Sequence, residues 1–286
     1  MTGEIYFGRP GAPVILPAVR GGVSSTRARQ TQAFPTGSGG ARVSHAIDGR
    51  RQFTLNWQQL QRDDGGDGVA GYSTIEAYWH GHNGSGPWVL HDPARRNWLT
   101  VNQSGATALR NDNIGFSASG SIALGSSDAS VNQGPRALAV SGLGHVLLDP
   151  AAPIWPGIPV VPGLALCFSF RVSITVTCVP QMAWLDGDGT LLSTSSGTAT
   201  GVGSWSQRHV TAIPPANAAF VQPQLLMQDS TPNYLDSFQL ELGSAPSDWR
   251  PGTGLYPISI VSLAEGWPWT APEYAQNPTL VLQEVG

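Results

Sequence analysis

Three of the six histidines fall close together, as His80-Gly-His82 followed by His91, and imidazole is the commonest protein ligand for a metal. The spacing argues against a metal site. Two histidines at i, i+2 after a helix do not share a face, and neither the i, i+4 pair nor the carboxylate of a zinc-protease helix is present. The clustered acids Asp63, Asp64 and Asp67 have the composition of a paired acid–base site. Standing just before a helix, they read instead as capping and dipole-compensating groups. Asp186-Gly-Asp188-Gly189-Thr190 begins like a calcium loop, but Gly197 occupies the twelfth position, where a bidentate Glu is required. It reads as a hairpin turn. No G-x-S-x-G elbow occurs and no Ser, His and Asp stand in a recognisable triad context. The chain is therefore expected to be no enzyme, with no catalytic residue, metal or cofactor.

What the chain lacks narrows the chemistry further. All 15 basic residues are Arg, which removes Schiff-base lysines, lysine bases and a Walker-type phosphate loop. A net charge of −4 disfavours a dedicated nucleic-acid binder. No apolar run approaches the roughly 20 residues of a membrane helix. "MTGEIYFGRP" has no basic stretch followed by an apolar one, so no secretory signal is expected and synthesis in a cytoplasm is. Cys167 and Cys178 fall in one expected strand, where eleven residues would span about 36 Å, far beyond a disulfide. They are expected to be reduced packing residues.

Aromatic rings remain as functional groups, because a ring face stacks on the apolar side of a pyranose. Trp184 continues the inward phase of its segment and Trp205 opens a strand, so both read as core. Trp155, between Pro153 and Pro156, and Tyr234, on a turn, are the expected surface rings and the glycan contacts this reading selects. Arg95 and Arg96 are expected to pair with acids at a domain junction.

The elements that must position these groups are mostly strands. In "LCFSFRVSITVTC", 166–178, Leu166, Phe168, Phe170, Val172, Ile174, Val176 and Cys178 share one face, as in a half-buried antiparallel strand. "DSFQLEL" and "FVQPQLLM" repeat the alternation, the second with Pro223 arguing for an edge or a bulge. Residues 99–250 therefore read as an all-β sandwich. Before them, "FTLNW" is a strand. The only expected helix follows, with Val69, Tyr72, Ile75 and Trp79 at helical spacing. Residues 20–52 hold six arginines against Asp48, and "STRARQTQAF" is polar on both faces if extended. Such a segment is a loop, or an arm that a neighbouring subunit covers.

Only 36 residues follow Arg250, yet "YPISIVSL" and "PTLVLQEV" are strand-like. Too short for a core of their own, they are expected to complete a sheet begun in residues 1–98. Charge agrees with that division: ten Arg against seven acids in 1–98, none against three in 251–286, and five against nine in 99–250. The expected organisation is a discontinuous domain, 1–98 with 251–286, interrupted by an inserted domain, 99–250. "DPARRNW" leads out and "WRPGTGLYP" leads back.

The order "FTLNWQQL", acidic turn, helix, "YWHGHNGSGPWVLHDPARRN", insert, "WRPGTGLYPISIVSLAEGWPW" resembles the distal and minor tail proteins of long-tailed phages of actinobacteria. The resemblance covers nearly the whole chain, and its GPW…DP…RN and WRPGTG pieces are architectural. It implies a tail-tube-like β-sandwich with one flanking helix. "GPRALAVSG", "VPGLALCFSFRV", "WLDGDGTLLST", "SWSQRHVTAIPP" and "NYLDSFQLELGS" resemble the jelly-roll carbohydrate-binding modules found in phage tails and glycosidases. That class often holds a structural calcium near its last strand, here at Asp236. Leu235 replaces the first of the usual two acids, and the sequence leaves the calcium undecided. The function implied is a structural virion protein of the tail tip, a ring, hexameric by resemblance, that joins tail tube to tip. Its partners would be itself, the tube protein, the hub and other tip proteins, with Arg27 and Arg29 in an inter-subunit arm. The alternative is a tail-tip adhesin that binds host cell-wall glycan through the inserted domain.

Overall fold

The computed structural model describes residues 4–17, 19, 23–27, 31–35, 41–45, 50–65, 68–92, 96–106, 114–128, 132–133, 136–173, 178–198, 205–266 and 275–285. The first strands are β1 (Ile5–Arg9), β2 (Ala12–Leu16), β3 (Ser24–Arg27), β4 (Thr31–Pro35), β5 (Ala41–His45), β6 (Arg51–Asn56) and β7 (Leu60–Gln61). Helix α1 (Tyr72–Trp79), β8 (Val89–His91) and helix α2 (Val101–Gly105) follow. Next come β9 (Phe116–Gly120), β10 (Ala123–Ser127), β11 (Ala137–Ser141), β12 (Gly144–Leu148), β13 (Ile158–Pro159) and β14 (Leu166–Val172). Then come β15 (Cys178–Leu185), β16 (Leu191–Ser196), β17 (Ser206–Ala212), β18 (Phe220–Met227) and β19 (Asn233–Leu242). The chain ends with β20 (Ile258–Ala264), β21 (Ala275–Gln276) and β22 (Thr279–Glu284). Among the described residues no helix is long and apolar enough to cross a membrane.

Two compact units emerge, Met1–Pro13 with Val89–Leu255, and Val14–Trp88 with Tyr256–Gly286. The described residues of 1–13 and 89–98 thus fall with the larger unit, whereas the sequence alone groups them with the flanking domain. The reason is burial: Val89, Trp98 and Leu99 belong to the larger unit's hydrophobic core.

That larger unit is a β-sandwich. A five-stranded sheet, β10-β11-β19-β14-β17, faces a six-stranded one, β16-β15-β18-β12-β9, with β13 also on β18. Every pairing is antiparallel. Alternate residues supply the core. Leu166, Phe168, Phe170 and Val172 of β14 are fully buried, as are Leu235, Phe238 and Leu240 of β19. Phe170 stacks on Phe238 at 5.7 Å between centroids, and Phe116 lies 5.3 Å from the same ring. The expected single strand 166–178 is corrected: β14 ends at Val172 in one sheet and Cys178 opens β15 in the other. Alternation persists on both strands because both face the same core, so periodicity alone hides the change of sheet.

Pro223 calls for a second correction, since β18 is an interior strand. It pairs with β12 through residues 224–227 and with β13 through 220–221. Pro223 falls in the gap between these pairings, where one side of the strand has no neighbour to satisfy.

In the smaller unit a four-stranded sheet runs β20-β22-β6-β3, beside the pairs β21-β7 and β4-β5. The C-terminal strand β22 lies directly on β6, with Leu282 opposite Phe53 and Leu280 opposite Leu55, all four fully buried. Arg51, counted above in a basic arm, lies on β6 and forms a buried ion pair with Glu284, Nε to Oε1 at 2.7 Å. Helix α1 buries Tyr72, Ile75 and Tyr78, whereas Trp79, expected inward, is 41% exposed. Asp64 stabilises its start from outside the helix, accepting from Gly71 N and Thr74 Oγ1, each at 2.7 Å. Asp67 lies outside the described residues. A second, short helix was missed: Thr100 caps α2 in a capping box with Gln103.

Candidate functional site

The outward face of the five-stranded sheet is polar. On β14, Ser169 and Arg171 point away from the Phe168 and Phe170 that fill the core. Register sets Arg171 beside Gln207 of β17, and Ser169 between His209 of β17 and Gln239 of β19. The ladder with β19 is irregular between Ser169 and Arg171, opposite Ser237, which has a left-handed φ of 58°. Two residues of β19 there oppose one of β14, and the strand bends. Ser237 thereby joins the outer face while Phe238 stays in the core.

Two chain segments raise the walls of a trough over this face. It encloses about 570 Å³ and is lined by Arg96, Gln133, Ser169, Arg171, Gln207, Ser237, Gln239 and the run Pro246–Trp249. Arg96 belongs to the outgoing "DPARRNW" and Trp249 to the returning "DWRPGTG", so both architectural motifs meet here. Asn97 locks them together. Its Nδ2 donates to Phe238 O at 3.0 Å and to Arg250 O at 2.8 Å. Its Oδ1 accepts from Leu99 N and Leu240 N, each at 3.2 Å. One buried amide thus ties the outgoing segment, β19 and the returning segment. Gly252 donates to Ser104 Oγ at 2.7 Å, and a Cβ there would strike the carbonyls of Leu99 and Thr100. Trp249 donates from Nε1 to Ser104 O at 3.0 Å, which fixes its edge.

The floor is held equally firmly. Glu241, buried on β19, accepts from Gln239 Nε2 at 2.6 Å, Ser247 N at 2.8 Å and Ser247 Oγ at 2.6 Å. Gln239 Oε1 in turn accepts from Arg250 N at 2.9 Å. Asp236, fully buried at the bulge, accepts from Asn132 N at 2.8 Å, Gln133 N at 2.9 Å and Ser237 N at 2.6 Å. These backbone donors meet the carboxylate at which the resemblance places a structural calcium. Among the described residues no group of three His, Cys, Asp or Glu could hold a metal.

The expected site residues are distributed as follows. Tyr234 is half-buried on β19 and shares the outer face, two residues from the bulge. Trp155, expected at the surface, is corrected: it is 6% exposed, with its ring 6.4 Å from Phe220, and offers no face to a sugar. Trp184 is in the core, its Nε1 donating to Ser195 Oγ at 2.9 Å. Arg27 ends β3, opposite Arg51 of β6; Arg29 and Arg95 lie outside the described residues. Arg96, expected in an ion pair, lines the trough and forms no ion pair among the described residues. His91 is buried on β8 against Trp98, at 4.8 Å between rings, and His80 and His82 are exposed. Asp186 makes the expected turn, accepting from Asp188 N and Thr190 N. Burial pushes the Cys178 thiol up to about 12 and raises Cys167 as well, so both cysteines are poor nucleophiles.

Sequence reasoning missed Arg171, Gln207, Gln239 and Trp249. The outward phase of the alternating strands signals the first three, and the tryptophan of the returning motif signals the last.

No family model matches the chain, and no curated protein matches it. Among solved structures, the CBM22-1–GH10 modules of Clostridium thermocellum xylanase 10B, complexed with xylohexaose, are similar at 14% identity and a TM-score of 0.35. That match covers 47% of this chain and 27% of the other. The CBM22-1 xylan-binding domain of Paenibacillus barcinonensis Xyn10C is similar at 17% identity and a TM-score of 0.34, covering 47% of this chain and 89% of that one. The enzymatically active domain of bacteriophage CBA120 tailspike protein 4 is similar at 11% identity and a TM-score of 0.35, covering 51% and 21%. Identities and TM-scores this low leave the ligand to be argued from the chain's own residues.

Proposed function

We propose that this chain binds a glycan, without catalysing its cleavage, in the trough on the five-stranded sheet. The observation that carries the reading is the lining itself. One tryptophan, three glutamines, three serines and two arginines converge on one concave surface. A saccharide presents an apolar ring face and a rim of paired hydroxyls. Trp249 matches the first, and planar amides and guanidinium forks match the second. Glu241 and Asn97 hold the floor and wall before any ligand arrives, which lowers the ordering cost of binding.

The setting that fits best is the tip of a phage tail, where such a chain would act as an adhesin for a host-surface glycan. The resemblance of the GPW…RN and WRPGTG blocks to minor tail proteins supports this placement. In it, the larger sandwich unit interrupts a tail-tube-like domain that contacts the tube, hub and other tip proteins. A glycan array probed with the full chain and with Trp249→Ala tests the binding claim. The wild type should retain a defined set of saccharides and the variant should lose at least about tenfold in affinity. Equal binding by both would remove the trough from the account.

One observation favours a second reading, a ring-forming component that joins tube to tip. The four-stranded sheet of the smaller unit ends on β3 and β20, and Ser24, Ser25 and Thr26 on β3 are exposed. Edge strands of this kind can be continued by a second copy. Arg27 and Arg29 would then serve that contact, and light scattering of the Arg27→Ala/Arg29→Ala variant would show a weakened oligomer, a hexamer by resemblance. An unchanged oligomer would sink this reading.

A further inference from the structure

The geometry points to an acidic saccharide, one carrying a carboxylate or a phosphodiester, as the preferred ligand of the trough; this rests on the glycan-binding reading above. The argument begins with the two arginines. Arg171 stands on the central strand β14 and Arg96 on the wall, and both line the same cavity. Neither takes part in an ion pair among the described residues. A guanidinium is always charged, and its fork of N–H donors matches the two oxygens of a carboxylate or phosphate in one plane. Two of them on one concave face, in no ion pair among the described residues, leave a hydrogen-bonding demand for an oxyanion.

The neighbouring carboxylates do not meet that demand. Asp236 is the register partner of Arg171 on β19, yet its oxygens accept from the backbone N–H groups of Asn132, Gln133 and Ser237. Glu241 accepts from Gln239 and Ser247 and is 3% exposed beneath the floor. Both acids are buried, and the donors named here are backbone and side-chain groups other than the two guanidinium forks. Asp248 is the one acid on the lining, and it is exposed at the rim. Inside, the two guanidinium forks are donors only, whereas the amides of Gln133 and Gln207 both donate and accept. A neutral sugar presents hydroxyls that donate as readily as they accept and would leave such a surface under-used. An acidic sugar places acceptor-only oxygens among hydroxyls, which complements it.

Net charge sets the preference against the background of the whole chain. The chain carries −4 overall, and residues 99–250 hold five Arg against nine acids. Bulk attraction therefore works against a polyanion, and any preference for one has to come from a local site. It also predicts a salt signature, because the contact between guanidinium and oxyanion at a partly open surface is screened.

Calorimetric titration of the full-length protein provides the test. The probes are an oligogalacturonate for the carboxylate, a ribitol-phosphate oligomer for the phosphodiester, and a neutral xylo-oligosaccharide of similar length. Each is run at low and at high salt. One acidic probe should bind at least about tenfold more tightly than the neutral one at low salt, and which one does so identifies the oxyanion. High salt should erase most of that difference. Arg171→Gln and Arg96→Gln should erase it too, with circular dichroism unchanged and acidic-sugar binding falling by a larger factor than neutral-sugar binding. Arg171→Lys, which keeps the charge and loses the fork, should fall between. A neutral probe that binds as tightly as both acidic ones, with the Arg variants unaltered, overturns the acidic preference and leaves glycan binding standing. No binding of any of the three, at either salt, overturns both.

Discussion

At the residue scale, a few buried polar side chains do most of the positioning. Glu241 shows how. Its carboxylate is purely an acceptor and meets only donors, from Gln239 and Ser247. Glu241→Gln would turn an amide N–H₂ against one of them, at a cost of about 1–3 kcal/mol, because a buried donor then lacks its partner. Denaturant unfolding should show that loss, and Glu241→Gln should also weaken saccharide binding. The cysteines give a pH prediction of definite sign. Burial holds the Cys178 thiol at about 12 against an ordinary 9.0. An unfolded chain ionises it first, so its contribution to stability is intact below pH 9 and is lost as pH rises toward 12. The melting temperature should fall across that window, less steeply in Cys178→Ala, and neither thiol should react with a disulfide reagent at neutral pH in the native state. The cysteines were expected as reduced packing residues, whereas the role of Glu241 was not legible in the sequence. A buried acid on a strand reads like any outward polar position until the loop that covers it is known.

At the scale of elements, the strand pattern carried far. Alternation identified β14, β18 and β19 and the inward set that fills the larger sandwich, because a half-buried sheet imposes a period of two. It failed where the chain changes partner rather than pattern. Val172 and Cys178 share a core and not a sheet, and Pro223 sits in an interior strand whose neighbour switches from β12 to β13. The site was legible only in pieces. "DPARRNW" and "WRPGTG" stood out as motifs, but that they meet follows from Asn97 reaching both Phe238 and Arg250. Flanking prolines at Trp155 look like a surface turn, yet its ring is buried beside Phe220. The meeting of the two motifs depends on Gly252. Gly252→Ala should destabilise the larger unit by about 1–3 kcal/mol through overpacking against Leu99 and Thr100. A melting curve coincident with that of the wild type would mean that the returning segment is not held as described.

For the whole molecule, the two units set different expectations. The larger sandwich draws Val89, Trp98 and Leu255 into its core. A fragment 89–255 should therefore melt cooperatively and at higher temperature than 99–250, which also lacks Asn97. The smaller unit depends on the chain's end. Removing residues 258–286 strips Leu280 and Leu282 from Leu55 and Phe53 and should give aggregation. A soluble, folded 1–257 would contradict the sheet that β22 completes. The central claim is that the outer face of the five-stranded sheet is where a glycan binds, and hydrogen–deuterium exchange of the full chain with and without a retained saccharide tests it most directly. The account predicts added protection in peptides covering Gln207–His209, Ser237–Gln239 and Pro246–Arg250. Protection confined to the six-stranded sheet or to the smaller unit, with those peptides unchanged, would contradict it.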